Sequence, residues 1–572
     1  MNKTLSPSIV PFLSYSDLHP GTVSKEEDLR ARLKDLDLKT FIISLAKINL
    51  IISDISQPIS LKPQEMLKEK IFDDYTKQLI EGRKKDASCF FHRAQLLYLM
   101  KQGFLFAKEK HIDLDKTTSM GQLKKLFSLV FLIANDLLRF FDTKTIEEAE
   151  GEQSKMVIWK ETLPLWEMNN PPEIKPALAR ARKMFGAIAE DGSNNQDYLD
   201  LFSKEKKITL NEYMYFVFSL VAFYHNCRNS ILINPDSFFI RKQEFLNNIK
   251  NTTLKQSFGH FINNISIPFD KITEVIKKSP DCSLLYGFLP FRKCPIVMID
   301  DNDLICLDIY FLLDKLGSGL FWEINGLLGR NEQEEYHSLW GSLFETYVSF
   351  LLMDSKYGSK SSIFIKPCYD NSGDEIADVL ILHEENLIVM EVKFGLITQE
   401  SKYGKDVSTL IDEIREKYEK NKKGEWKGYG QLANNINKLF SKHGSYNFDR
   451  INKNKIKNVI PILVTYENSF SAPFTNYFFN SYFQPLLKKE ELTGNIVIWP
   501  LTLITIEELE RAIYMEDNLD QIIMSRLKND MGIYFSLNDY LNNNYSHSLP
   551  YMSWINKEWE KFGKETKKYF FD

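Results

Sequence analysis

Cysteine is scarce in this chain, and no two cysteines stand close in sequence. Six of them, Cys89, Cys227, Cys282, Cys294, Cys306 and Cys368, are scattered over 572 residues, with no CxxC pair. That argues against a disulfide framework and against a structural zinc site, and it fits free thiols in a reducing compartment. A cytoplasmic location is therefore expected. An apolar run of roughly 20 residues, the length a bilayer needs, is also missing. The most apolar stretches, Leu126 to Leu138 and Tyr213 to Tyr224, are shorter and read as buried core helices, so no membrane partner is expected. The N-terminal MNKTLSPSIVPFLSYSDLHPG has no long apolar run after a basic start, so no signal peptide is expected. Nor is there an excess of positive charge. The net charge is −5, and any nucleic-acid surface must be local.

Several motifs are absent as well. No GxxxxGK[ST] loop occurs, which excludes a P-loop ATP motor, and no HExxH or GxSxG is present. SKEKKITLNEY lacks the acidic spacing of an EF-hand loop. His225 and Cys227 in YHNC read as core or helix-end residues rather than ligands, and His383 as a solvated turn residue.

What is present is a globular composition, 44% hydrophobic and 26% charged, with 41 Phe and 26 Tyr to fill cores. The length exceeds one core, so two or three domains are expected. Residues 1–285 read as helical, with Thr209 and Glu212 spaced as a capping box. Cys294 to Asp308 reads as a hairpin with a DDND turn, within a bridging segment at 286–333. From Glu334 the pattern becomes helix, three strands, helix, strand, then strand and helix, which predicts an α/β domain over 334–515 around a central mixed sheet. A helical tail at 516–572 completes the expected multidomain layout.

The most informative stretch is EIADVLILHEENLIVMEVKFG, Glu375 to Gly395. Two apolar strands are joined by the polar turn HEEN. Strand alternation puts Asp378 with Ile376, Leu380 and Leu382, and puts Glu391 and Lys393 with Leu387 and Val389. Charges rarely interrupt such strands unless they are paired or bind a metal. Asp378 and Glu391 can offer two carboxylates to one hard cation, Mg2+ or Mn2+, and the Val392 carbonyl a third oxygen. Lys393, on the Glu391 face, can reach a water or a phosphate beside that ion. This set of groups suits hydrolysis of a phosphodiester.

AD378 followed by E391-V-K393 resembles the PD-(D/E)xK motif of the restriction-endonuclease-like superfamily, with Ala377 where many members have proline. The resemblance covers residues from about Glu334 to Ala512. It implies that Asp378 and Glu391 bind the metal and that Lys393 assists the attacking water. Glu345, in WGSLFETYVSF, matches the glutamate that many relatives carry on their first helix as part of the metal site. At helical spacing it shares a stripe with Gly341, Val348 and Leu352, with the glycine permitting close approach. Gln431, in YGQLANNINKL, is similar to the glutamine that RecB-like branches place beside the active site. Asn435 stands where those branches have a tyrosine.

A basic tract follows: Lys438, Lys442, Arg450, Lys453, Lys455 and Lys457, interleaved with Phe440, Tyr446 and Phe448. It could bind a phosphate backbone and stack on bases, or form a solvated loop. Together these features predict a Mg2+-dependent nuclease acting on DNA. A large helical region fused to such a nuclease resembles effectors of bacterial anti-phage defence or restriction-like systems, with a partner protein or oligomer engaged through the helical half. The alternative is a non-catalytic nucleic-acid-binding or scaffold subunit.

Overall fold

A computed structural model of the chain describes residues 12–53, 61–82, 89–109, 120–138, 151–190, 196–228, 230–231, 234–359, 363–365, 368–441, 451–492, 496–529, 531–545 and 553–571. Helices dominate, and the strands form a six-stranded sheet, a four-stranded sheet and a two-stranded ribbon. Among the described residues no helix is long and apolar enough to cross a membrane.

Helices form where caps and apolar periodicity coincide. The Glu212 N–H donates to Thr209 Oγ1 at 3.2 Å, and the Thr209 N–H to Glu212 Oε2 at 2.9 Å, the reciprocal box the spacing predicts. The helix they open, Leu210–Cys227, buries Tyr213, Phe216, Val217, Leu220 and Tyr224 on its apolar stripe.

The smaller sheet is made of β1 (Ile240–Arg241), β2 (Ser266–Pro268), β3 (Ile296–Met298) and β4 (Asp303–Cys306). β3 and β4 form the expected antiparallel hairpin. β1 adds to β4, and β2 runs parallel to β3. Strands of two and three residues are too short to display alternation, so periodicity alone leaves that part of the chain looking purely helical.

The larger sheet has the order β11-β10-β9-β8-β5, with β12 also beside β10. Its members are β5 (Ile363–Ile365), β8 (Val379–His383), β9 (Asn386–Lys393), β10 (Asn458–Thr465), β11 (Val497–Ile498) and β12 (Thr502–Thr505). β6 (Cys368–Tyr369) and β7 (Glu375–Ala377) form the ribbon. β9, β10, β11 and β12 run parallel, whereas β8 pairs antiparallel with both β9 and β5, so the sheet is mixed as predicted. Of the predicted strand NIVIWPL only Val497–Ile498 pairs, as β11, and β12 begins after it at Thr502, past Pro500, which cannot donate to a ladder. Thr505 and Glu508 cap Ile506–Ala512 as their spacing predicts.

Alternation divides the sheet between two cores. Ile388, Met390, Val392, Val379, Ile462 and Val464 face one, together with Trp340, Phe344 and Val348 of the helix Arg330–Asp354. Leu387, Val389, Leu380 and Leu463 face the other, under Leu432, Ala433 and Ile436 of the helix Gly428–Phe440. Trp159 and Leu163 of the helix Glu152–Asn169 lie in this second core. The first core continues without a break into the N-terminal helices. The C-terminal helix Ser553–Phe571 buries Trp554, Ile555 and Phe562 in it, and Arg182 reaches Glu565 at 2.6 Å.

Candidate active site

Glu391 and Lys393 occupy the C-terminal end of β9. Buried Leu387 and Val389 precede them on the same face. On β10, Leu463 stands opposite Glu391 and Thr465 opposite Lys393. The Gly428–Phe440 helix covers this face, so Glu391 is 0% exposed. Its Oε1 lies 2.6 Å from Lys393 Nζ. Neither carboxylate oxygen receives a well-directed hydrogen bond. Lys393 keeps 22% of its side chain exposed, so it links the buried carboxylate to solvent.

Asp378 departs from its predicted place inside one continuous strand. It forms a bend between β7 and β8, and the ladder from β8 to β9 begins only at Val379 and Met390. The Asp378 carboxylate takes the place of the next rung, with Oδ2 accepting the Val392 N–H at 2.7 Å. It is 8% exposed. The N–H and C=O of one strand residue point to the same neighbouring strand, so the Val392 carbonyl is turned toward the Asp378 side.

The bend brings in a residue that spacing argued against. Glu375 lies three positions before Asp378, and alternation puts it on the opposite face. In the folded chain Glu375 is exposed at the start of β7, yet its carboxyl hydrogen-bonds to Asp378 and is pushed up to about 7, by desolvation at that contact and by Asp378 itself. Only an odd spacing was visible in the sequence, and it pointed the wrong way.

Glu345 comes from the helix covering the opposite face of the sheet. It is half-buried, on a stripe with the buried Val348 and Leu352. Its charge is felt by Lys393. The expected role of Gly341 does not hold, because a Cβ there would meet nothing within 4 Å. Helix approach at that turn is not limited by side-chain size.

Gln431 lies in the first turn of Gly428–Phe440, its N–H donating to the Lys427 carbonyl at 3.2 Å. Among the described residues no hydrogen bond joins its side chain to Asp378, Glu391 or Lys393. One turn later, buried Asn435 donates Nδ2–H to the Ile376 carbonyl at 2.8 Å. That bond fixes the helix to the strand leading into Asp378.

The basic tract is placed elsewhere. Lys442 and Arg450 lie outside the described residues. Lys438 sits in the last turn of its helix, and Lys453 and Lys455 form a short 3-10 turn before β10. Lys457 pairs with Glu385 at the hairpin turn. With Asn458 opposite Asn386 and Thr465 opposite Lys393, this is the far edge of the sheet, about 23 Å from Lys393 at 3.3 Å per residue. His383 is at that far edge too. It is half-buried rather than solvated, 3.0 Å from Asp520 Oδ2 and 3.0 Å from Asn518 Nδ2.

The electrostatics are one-sided. Burial alone would lower the Lys393 ammonium, but Glu391, then Asp378 and Glu345, more than offset it and hold it above its ordinary value. Burial pushes the Glu391 carboxyl well up, against the pull of Lys393, while Asp378 and Glu375 add repulsion. Four carboxyl groups thus act around one ammonium. A buried carboxyl group that shares one ammonium with three other acids is a place where added positive charge would be favourable. Among the described residues no group of three or more His, Cys, Asp or Glu is placed to hold a metal. A hard ion such as Mg2+ commonly uses one or two carboxylates and keeps its waters, which Asp378 and Glu391 can satisfy. No family model matches the chain, and neither a curated protein nor a solved structure matches it significantly.

Proposed function

We propose that this chain is a Mg2+-dependent nuclease acting on DNA, with a restriction-endonuclease-like arrangement around β8 and β9. One observation carries the reading. Glu391 is a fully buried carboxyl group whose contact is the Lys393 ammonium at 2.6 Å, with Asp378 and Glu375 adding negative charge beside it. Such a group is costly in the protein alone, and a cation offsets that cost.

Asp378 and Glu391 would hold the ion, with the Val392 carbonyl facing the same space and Glu345 adding negative charge. A divalent ion supplies positive charge against the phosphodiester oxygens and acidifies a water. Lys393 stays charged at neutral pH, because Glu391, Asp378 and Glu345 hold it above its ordinary value. It therefore acts as an ammonium donor that orients the attacking water or a phosphate oxygen, not as a free-amine base. The bond from Val392 to Asp378 fixes the carboxylate before substrate arrives, so little reorganisation is needed.

The test is nicking of supercoiled plasmid and degradation of linear DNA by the full chain in Mg2+. Asp378→Asn and Lys393→Ala should each lower the rate at least about 100-fold. Cleavage that survives both substitutions sinks the site. Binding of DNA that is indifferent to Mg2+ and to Glu391→Ala, without cleavage, would favour a scaffold role instead.

A further inference from the structure

We infer that Glu167, in the N-terminal half, is a positioning residue for this site, anchoring the segment from Gly395 to Tyr403 that leaves β9 just after Lys393. The inference rests on reading that site as catalytic. Glu167 lies on the helix Glu152–Asn169, whose indoles fix it against the β10 side of the sheet. Trp159 Nε1 donates to Thr475 Oγ1, and Trp166 Nε1 to Ser471 Oγ, each at 2.9 Å. From there the Glu167 carboxylate gathers three groups. Arg292 reaches Oε1 at 2.7 Å, and Lys402 Nζ and the Tyr403 hydroxyl reach Oε2 at 3.0 and 2.9 Å.

Lys402 carries the connection onward. Its Nζ also donates to Glu467 Oε1 at 3.1 Å. The other oxygen of Glu467 accepts the Ile397 N–H at 2.9 Å. The Glu467 N–H donates to Thr465 Oγ1 at 3.2 Å, and Thr465 is the register partner of Lys393. The Tyr418 hydroxyl closes the loop, bonding the Gly395 carbonyl and lying 3.0 Å from Thr465 Oγ1. One network therefore runs from Glu167 to the ends of both strands that frame the site. Lys160, on the Glu167 helix, adds bonds to the Ser401 and Lys402 carbonyls.

The charges are matched, with Glu167 and Glu467 against Arg292 and Lys402. Neutralising Glu167 leaves Lys402 with Glu467 as its remaining carboxylate, and a shift of Lys402 is passed through Glu467, Oε1 to Oε2, to the Ile397 N–H. The disturbance falls on the segment after Lys393, not on a surface that binds substrate. Turnover should suffer and substrate binding should not.

The experiment compares the full-length wild type, Glu167→Gln, Glu167→Asp and, as a control in an ion pair elsewhere, Glu565→Gln. Amide hydrogen exchange in peptides covering 394–404 should speed up at least tenfold in Glu167→Gln and stay unchanged in Glu565→Gln. In the plasmid assay with Mg2+, kcat should fall at least tenfold in Glu167→Gln with KM within twofold, and Glu167→Asp should recover part of it. Unchanged exchange in Glu167→Gln, an equal effect of Glu565→Gln, or a rise in KM at constant kcat would overturn the inference. If the wild type cleaves no nucleic acid, the proposed activity falls, while the exchange result still decides whether Glu167 anchors the segment. Should Glu167→Gln fail to fold, Glu167→Asp carries the same exchange test.

Discussion

Two buried charge clusters lie side by side at one end of the central sheet, and they are built on opposite plans. Around Glu167, two carboxylates meet two cations, and each carboxylate oxygen has a partner. The Lys402 and Arg292 charges overcome burial and hold the Glu167 carboxyl well below the usual range. Around Glu391, four carboxyl groups face one ammonium, and burial drives the acid up. The first plan is what a structural ion network needs. The second leaves negative charge in excess, which under the proposed function a divalent cation would balance. Charge balance, not burial alone, separates them.

The difference is open to attack by substitution. Glu467→Gln breaks the balanced cluster and should cost about 3–5 kcal/mol of stability, measured by urea unfolding in EDTA. The same exchange at Glu391 should change stability by no more than about 1 kcal/mol under those conditions, since burial already disfavours that charge and Lys393 keeps Asp378 nearby. Equal losses at both positions would erase the distinction.

Metal addition sharpens it further. A Mg2+ concentration about 100 times its dissociation constant should stabilise the wild type by about 2.7 kcal/mol, seen as a higher thermal midpoint. Glu391→Gln should lose most of that response, and Glu467→Gln should keep it. A midpoint indifferent to Mg2+ in the wild type would mean that the excess negative charge serves something else.

A third buried acid falls between the two plans. Glu510 accepts the Tyr347 hydroxyl at 2.6 Å, and Arg180 stands 3.7 Å away. Burial nevertheless raises its carboxyl to about 7. The native state therefore holds a proton that the unfolded chain has already released above its carboxyl pKa of about 4.3. Stability should fall as pH rises from about 4.5 to 7, and level off above that. Comparing wild type with Glu510→Gln by urea unfolding, the wild type should lose about 2 kcal/mol relative to the variant between pH 5 and 8. A flat difference would show that Arg180 already balances this acid.

Much of this could be read from alternation and caps. The hairpin turn at HEEN forms as spaced, with His383 opposite Asn386. Thr209, Glu212, Thr505 and Glu508 cap the helices they were expected to cap. Glu391 and Lys393 share a face and touch. Legibility failed where the chain leaves regular geometry. The bend at Asp378 turned Glu375 toward it, against the period of two. The basic tract is near Gln431 in sequence, but its described lysines lie toward the far edge of the sheet, because a helix carries its two ends to opposite edges.

By itself the sequence determined that Glu391 and Lys393 would share one face of an apolar strand, because side-chain direction in a strand depends only on local backbone geometry. Only the tertiary structure decided that Glu391 would share Lys393 with other acids while Glu167 found three partners of its own. Those partners come from helices and loops far apart in the chain, and whether a buried charge is balanced depends on which of them folding brings within reach.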